Sequence, residues 1–279
     1  MKINFTKMHG AGNDFILIDD REGKTPWQDH FLMAALATRR LGIGSEGIIL
    51  IQKSERADIL FRFLNPDGTE VDMCGNGSRC AAAFAHAIGA AGRSMTMETR
   101  SGLVDAELLG NGQVRIWLPE PGKRVFGMEL DTPEGKITGD YVVAGVPHFV
   151  VQVENLATCD VAGLGKVLRR HAAFAPEGTN VDFVSLRSGN RMAIRTYERG
   201  VESESGACGT GAVSCAVVAV ERLGLTLPLQ IKTSSGFDLA VDGDWRKKRC
   251  TGMTLTGPVK FVFSGVIDTD EVDMGNEID

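Results

Sequence analysis

Two short segments of the chain place a cysteine and two glycines in the same order, just before apolar runs. They are Cys74-Gly75-Asn76-Gly77 and Cys208-Gly209-Thr210-Gly211. A cysteine before a helix lies at the positive end of the helix dipole, which favours thiolate over thiol. The exposed N–H groups of the first turn can bind a carboxylate, and glycines let a ligand approach the backbone. Each segment therefore predicts an acid or base beside a carboxylate-binding site.

A single segment of this kind is more often a tight turn with a buried cysteine, but here the pattern is repeated at a constant distance. The two cysteines are 134 residues apart (208 − 74). The same offset pairs Phe15 with Phe149, Gly44 with Gly178, Glu70 with Glu204 and Thr99 with Thr233. A series at one offset indicates an internal duplication whose unit is a domain. We expect two similar domains that present one thiol each to a common cleft.

Two thiols across a cleft suit the inversion of a carbon next to a carboxylate. One thiolate removes the α-proton from one face while one thiol donates a proton to the other face. No lysine has a distinctive setting for a pyridoxal phosphate Schiff base, and no cysteine or histidine pair has zinc-ligand spacing. The sequence predicts an enzyme without cofactor or metal. The other cysteines are interpreted as structural: Cys80, Cys159, Cys215 and Cys250.

The elements around the two cysteines follow from turn and helix signals. Asn65-Pro66-Asp67-Gly68 predicts a turn ahead of Cys74, and Thr25-Pro26 predicts the start of an amphipathic helix. The alanine-rich run at 78–91 carries few charges, which indicates a helix buried nearly all round, and the run at 212–223 is similar. We expect domains at residues 1–119 and 120–263, and an acidic tail at 264–279 that is partly disordered.

Composition narrows the classes of function. The net charge of −6 comes from interspersed acids and bases, so no basic surface for nucleic acid is expected. No run of about 18 apolar residues and no signal-peptide pattern appears, which predicts a protein of the cytoplasm without membrane contact. Six cysteines at irregular spacing in a chain of this size predict free thiols rather than a disulfide framework.

Three longer motifs closely resemble the diaminopimelate epimerase family. They are residues 8–15 (MHGAGNDF), the stretch from Asn65 to Cys80 (NPDG…CGNGSRC), and the stretch from Tyr197 to Gly211 (YERG…ACGTG). The resemblance extends over residues 2–263. It implies an α/β fold of two pseudo-symmetric domains, each a barrel-like mixed sheet around a central helix. It also implies interconversion of LL- and meso-2,6-diaminopimelate in lysine and peptidoglycan precursor synthesis, without pyridoxal phosphate or metal, by an enzyme that forms a homodimer.

The resemblance also implies roles for residues of this sequence. Cys74 and Cys208 correspond to the acid/base pair, and His148 and Glu198 assist them, either by adjusting thiol protonation or by holding the α-ammonium group. The amides of Gly75-Asn76 and Gly209-Thr210 hold the carboxylate at the reacting carbon. The remaining substrate-binding positions are Asn13, Asn65, Asn180, Glu198 and Arg199.

Some positions depart from the commonest family pattern, and other readings stay open. Val146 stands where asparagine is frequent, and 202–206 is a more polar approach to Cys208 than usual. The alternatives are a proline racemase or another isomerase of the same superfamily, and a non-catalytic module in which the turns hold a carboxylate or phosphate. A cysteine hydrolase is a third option, but it needs one nucleophile and leaves the duplication unexplained.

Overall fold

The structure is a computed structural model that describes residues 1–246 and 249–272. The described chain divides into two compact units. The first comprises Met1–Ile116 together with the residues from Gly257, and the second comprises Trp117–Thr256. Within the described ranges, no helix is both long enough and apolar enough to cross a membrane.

The described residues form seventeen strands and four α-helices. The strands are β1 (Lys2–Gly10), β2 (Asn13–Asp19), β3 (Ile48–Gln52), β4 (Ile59–Leu64), β5 (Glu70–Val71), β6 (Ser94–Thr99), β7 (Gly102–Gly110), β8 (Gln113–Trp117), β9 (Arg124–Thr132), β10 (Gly135–Ala144), β11 (Val146–Gln152), β12 (Asn180–Arg187), β13 (Arg191–Glu198), β14 (Ser203–Ser205), β15 (Leu229–Lys232), β16 (Asp238–Arg246) and β17 (Arg249–Asp268). The helices are α1 (His30–Ala37), α2 (Gly75–Ala87), α3 (Val161–Arg169) and α4 (Gly209–Arg222).

Eight strands close into a barrel in the first unit. β1 pairs with both β17 and β2, β2 pairs with β3, and β3 pairs with β4. β4 continues to β6, β6 to β7, β7 to β8, and β8 returns to β17. The β2–β3 and β4–β6 pairs are parallel and the other registered pairs are antiparallel. A closed barrel leaves no strand edge unpaired. Residues at the ends of its strands can therefore form a site.

Helix α2 packs against the barrel strands β1, β2, β3, β4 and β7. Its residues from Asn76 to Ala85 are all buried, which confirms the helix that the alanine-rich run predicts. The small side chains of its alanine and glycine residues let the strands pack closely around this helix. Helix α1 packs on β2 and β3 through Leu32, Met33 and Leu36, and the four consecutive apolar residues of β3 at 48–51 are all buried.

The second unit repeats this order around α4. Its pairings run β9–β10–β11–β12–β13–β15–β16–β17, with parallel pairs at β11–β12 and β13–β15. These are the same two places in the order at which the first unit has parallel pairs. In α4, the residues from Gly211 to Ala219 are buried, and α4 packs on β10, β11, β12 and β16. The predicted class, two pseudo-symmetric halves built on central helices, is confirmed.

Two details differ from the sequence predictions. Helix α1 begins after Asp29, whose carboxylate accepts the N–H of Leu32, while Thr25 and Pro26 lie in the preceding turn. The helix begins after Asp29 because the Asp29 side chain caps it, whereas the N–H of Thr25 bonds Asp20 Oδ1 in the preceding turn.

The unit boundaries also differ from the predicted divisions at 119/120 and 263/264. The chain changes unit at 116/117 and again inside β17, because residues 259–268 pair with β1 and belong to the first barrel. Residues 264–268 of the predicted acidic tail are therefore strand, and Thr269–Glu271 forms a short 3-10 helix. The rest of the predicted tail, 273–279, lies outside the described residues.

Candidate active site

Cys74 is the N-cap residue of α2, as its motif predicts. Its backbone is extended, with φ −134° and ψ 121°, and its sulfur accepts the N–H of Gly77 at 3.5 Å. A Cβ on Gly77 would lie 3.2 Å from Ile49 Cδ1 and 3.4 Å from Cys74 Cβ, so glycine lets the helix start close to the strands. The thiol is half-buried at the end of a helix whose first N–H groups lack intrahelical acceptors.

A polar network surrounds Cys74 in the first unit. Asn13, at the start of β2, accepts at Oδ1 from Asn76 Nδ2 at 3.2 Å and from the Cys74 thiol at 3.9 Å, a long contact. Asn13 also donates from Nδ2 to Glu46. Burial raises the pKa of the Glu46 carboxyl. The structure thus brings together Asn13, Asn76 and Cys74, three of the predicted site residues.

Asn65 follows β4 in the predicted turn, where its N–H bonds Thr69 O and its carbonyl accepts from Gly68. Among the hydrogen bonds described for the chain, its half-buried side chain makes none to the Cys74 network. The turn prediction is therefore confirmed in the backbone, and a substrate contact through the Asn65 side chain stays a prediction.

Cys208 occupies the equivalent position in the second unit, as the N-cap residue of α4. Its backbone is again extended, with φ −113° and ψ 113°, and the residue is 8% exposed. Burial raises the pKa of its thiol well above the ordinary value, and the charges of Glu198 and Asp182 raise it further. Its sulfur lies 3.5 Å from Thr210 Oγ1. The raised pKa favours the thiol of Cys208 over the thiolate, contrary to the effect that its place before a helix predicts.

His148 links Thr210 to a buried carboxylate. Its Nε2 lies 2.9 Å from Thr210 Oγ1, and its Nδ1 lies 2.7 Å from Asp182 Oδ2. Both His148 and Asp182 have fully buried side chains. Asp182 also accepts from the Thr196 hydroxyl at 2.7 Å. Two predicted site residues, His148 and Thr210, are therefore in direct contact, and His148 also contacts Asp182, which the sequence did not indicate.

Asn180, at the start of β12, ties the Arg199 backbone to the same cluster. Its Oδ1 accepts the N–H of Arg199 at 2.7 Å, and its Nδ2 donates to Pro147 O at 3.1 Å. The Arg199 guanidinium is 24% exposed and lies 3.5 Å from Glu177 Oε2. Glu198 ends β13, is half-buried, and adds negative charge near Cys208. In the second unit, hydrogen bonds thus connect the predicted site residues Asn180, His148 and Thr210.

Three charged residues of the site were missed by sequence reasoning: Arg79 and Asp182, which are buried, and Glu46, whose side chain is exposed. Arg79 looks like an ordinary helix residue, yet it is fully buried and bonds Asn76. The 134-residue offset could have found Glu46, since it pairs Glu46 with Asn180 (180 − 46). It also pairs Asp14 with His148, but it offers no signal for Asp182, whose equivalent is Ile48.

The comparisons with known proteins match this architecture. The family model described as "Diaminopimelate epimerase" matches residues 5–120 and 141–262. The chain belongs to the diaminopimelate epimerase family. A diaminopimelate epimerase of Aquifex aeolicus is 40% identical and covers 94% of this chain and 97% of its own length. One from Archaeoglobus fulgidus is 37% identical and covers 98% and 99%.

Solved structures with lower identity share the fold. A Bacillus anthracis phenazine biosynthesis protein of the PhzF family aligns with a TM-score of 0.75 at 17% identity, covering 96% of this chain and 99% of its own. A probable proline racemase from Agrobacterium radiobacter, with bound carbonate, aligns with a TM-score of 0.71 at 19% identity, covering 94% and 92%. These matches confirm the predicted fold class.

Proposed function

We propose that the protein interconverts LL- and meso-2,6-diaminopimelate by moving the α-proton between Cys74 and Cys208. One observation carries the proposal. In a chain that belongs to this family over nearly its whole length, each of the two units uses a cysteine as the N-cap of its central helix. A turn needs glycine at such a place but has no need for cysteine in both copies.

The chemistry requires two groups that act on opposite faces of one carbon. A thiolate removes the α-proton while a thiol donates a proton to the other face, and the two exchange roles for the reverse direction. The pKa of the Cys208 thiol, which burial raises, suits the donor role in one direction. Negative charge that develops on the substrate carboxylate is stabilised by the helix N-termini, through the amides of Gly75-Asn76 and Gly209-Thr210.

The remaining predicted residues fit a substrate with two amino groups and two carboxylates. Arg199 supplies a cation for the far carboxylate, since guanidinium pairs well with carboxylate. Glu198 and His148 act near the reacting carbon, on the α-ammonium group or on thiol protonation. Amide side chains complete the set: Asn13, Asn65 and Asn180. The chemistry needs neither cofactor nor metal, because these groups supply both the proton transfer and the charge stabilisation.

We also propose where the enzyme acts in the cell and in which pathway. All six cysteines are free, which suits the reducing cytoplasm and a role in lysine and peptidoglycan precursor synthesis. We further propose a homodimer, supported by exposed apolar side chains of β17 at Phe261, Val262, Phe263 and Val266. These side chains lie along the part of β17 that pairs with β1, and we propose that a second copy packs on them.

The function is tested by incubating the reduced protein with LL-diaminopimelate and following the meso isomer by chiral chromatography. We expect conversion without any added cofactor, and its loss by a factor of at least about 10³ in Cys74→Ala and Cys208→Ala. Cys159→Ala, at a half-buried cysteine outside the proposed site, is the matched control and should keep full activity. If the protein converts proline or another α-amino acid but not diaminopimelate, the proposed substrate is wrong and the two-thiol mechanism stands. Full activity in both alanine variants would overturn the mechanism.

The dimer is tested by light scattering after size-exclusion chromatography. We expect Phe261→Asp to give a folded monomer, while Leu186→Asp, at an exposed leucine of the second unit, leaves the dimer intact. A wild-type monomer at all concentrations tested would overturn the proposed assembly.

A further inference from the structure

The buried carboxylate of Asp182 determines which nitrogen of His148 carries a proton. Asp182 is fully buried, and as a carboxylate it can only accept hydrogen bonds. It accepts from the Thr196 hydroxyl, and its second oxygen lies 2.7 Å from His148 Nδ1. His148 must therefore donate from Nδ1–H. In the neutral ring this leaves Nε2 as an acceptor.

The groups that face Nε2 agree with this assignment. Asn180 Oδ1 accepts from the Arg199 N–H and Asn180 Nδ2 donates to Pro147 O, which fixes the orientation of that amide. The donor Nδ2 then lies 3.5 Å from His148 Nε2. The other neighbour of Nε2 is Thr210 Oγ1 at 2.9 Å. Two donors thus point at an unprotonated nitrogen.

The hydroxyl of Thr210 is thereby committed as a donor to His148. Its oxygen keeps lone pairs for Cys208 Sγ, which lies 3.5 Å away, so the thiol donates to Oγ1. A continuous line of hydrogen bonds runs from the Cys208 thiol through Thr210 to His148 and ends on Asp182. The first turn of α4 packs directly on this carboxylate, because a Cβ on Gly211 would lie 2.6 Å from Asp182 Oδ1.

We propose that Asp182 and Thr210 are positioning residues of a proton relay that serves Cys208, an inference that rests on the proposed function. The proton on Sγ moves to Oγ1 while the Oγ1 proton moves to Nε2. This leaves a thiolate, an unchanged hydroxyl and an imidazolium that Asp182 stabilises. The reverse movement restores the thiol, and no atom, electron or net charge is gained or lost.

The relay meets a need that the two-thiol mechanism creates. In one direction of the reaction Cys208 must act as the base, so its own proton has to leave the sulfur first. The residue is 8% exposed, which restricts the loss of that proton to water, and the relay places it on the His148 ring instead. The other titratable groups that act on Cys208 or Asp182 are Glu198 of β13 and Cys215 of α4. At the equivalent positions the first unit has Ile48, Asp14 and Asn76, so the relay belongs to Cys208 alone of the two thiols.

The tautomer is tested first, because this readout does not depend on activity. In ¹⁵N spectra of histidine-labelled protein, with the His148 signals assigned by His148→Gln, we expect the Nδ1–H tautomer at neutral pH. Asp182→Asn should shift it toward Nε2–H, since the Thr196 hydroxyl holds the amide oxygen and leaves the NH₂ facing Nδ1. An Nε2–H tautomer in the wild type would overturn the proposal.

The relay itself is tested with Thr210→Val, which removes the hydroxyl and keeps the shape and the backbone amide. We expect kcat to fall about 10²-fold with little change in KM, and the pH profile of kcat to change. Thr210→Ser should restore both, and Thr196→Val, which removes the other partner of Asp182, should have a smaller effect. A folded Thr210→Val enzyme with unchanged kcat and pH profile would overturn the relay. Inactive wild-type protein would instead count against the proposed function, while the tautomer result would still stand.

Discussion

The guanidinium of Arg79 is fully buried and donates from Nη2 to Asn76 Oδ1 at 2.7 Å. Its Nη1 donates to Gly75 O at 3.2 Å, so one cation holds the first turn of α2. Burial lowers the pKa of Arg79 to about 10, and it remains a cation at neutral pH. Asn76 in turn bonds Asn13, which the Cys74 thiol contacts. This buried cation is therefore connected to Cys74 through Asn76 and Asn13.

Replacing this cation tests its influence on Cys74. We expect Arg79→Met to slow the alkylation of Cys74 by iodoacetamide at pH 7 and to lower kcat by about 10-fold or more, because a nearby cation favours thiolate. Peptide mass spectrometry gives the labelling rate, with Cys159 as the internal reference. Arg79→Lys, which keeps the charge but loses the fork of donors, should fall between the two. An unchanged labelling rate in a folded Arg79→Met protein would contradict this role.

Arg199 is predicted to select for the second carboxylate. Its guanidinium is partly exposed and makes one ion pair of 3.5 Å with the exposed Glu177, so it can be released to a ligand. We expect Arg199→Met to raise KM for diaminopimelate about 10–100-fold, the value of a charge-assisted hydrogen bond, with a smaller fall in kcat. Steady-state kinetics measures both constants.

A matched control separates the ligand contact from the ion pair. Glu177→Gln removes the partner of Arg199 in this structure and should leave KM within about 3-fold of the wild type. If Glu177→Gln raises KM as much as Arg199→Met does, the arginine acts by holding its loop and not by binding substrate.

Much of the fold could be predicted because the duplication constrains both halves at once. The constant offset, the two buried helices and the N-cap position of Cys74 and Cys208 all follow from local patterns that the structure repeats. The start of α1 could not be predicted as well, since Thr25-Pro26 and Asp29 are both acceptable signals and tertiary contacts decide between them.

Long-range pairing explains what the sequence left hidden. Asp182 is a single acidic residue in an apolar strand. Its role depends on hydrogen bonds to Thr196 and His148 on the neighbouring strands, which the local sequence does not indicate. The return of β17 to the first barrel depends on the register between residues 259–268 and β1, which no local signal encodes. Burial of Arg79 likewise depends on strands that surround α2 from distant parts of the chain.

The buried thiols predict a loss of stability in mild alkali. Burial raises the pKa of Cys80, Cys208 and Cys215 above the value of about 8.5 expected in the unfolded chain. What these buried thiols contribute to the free energy of unfolding is therefore fully present below about pH 8.5. It is lost as the pH rises toward the pKa that each thiol has in the folded protein. Each thiol should lower the free energy of unfolding by about 1.4 kcal/mol per pH unit in that window.

Urea unfolding at pH 7.5 and pH 10, under reducing conditions, measures this effect. Cys215→Ala removes one of the buried thiols without touching the proposed acid/base pair. Its free energy of unfolding should fall less between the two pH values than that of the wild type, by about 2 kcal/mol. Parallel losses in the two proteins would show that these thiols do not set the alkaline limit.

Deuterium exchange at the α-carbon tests the central claim, that two thiols act on opposite faces of one substrate. The reduced protein is incubated with LL-diaminopimelate in D₂O without cofactor and followed by proton NMR. We predict loss of the α-proton signal together with growth of the deuterated meso isomer, and the loss of inversion in both Cys74→Ala and Cys208→Ala. Inversion that persists when either thiol is absent, or that retains the original proton, would contradict the two-thiol account.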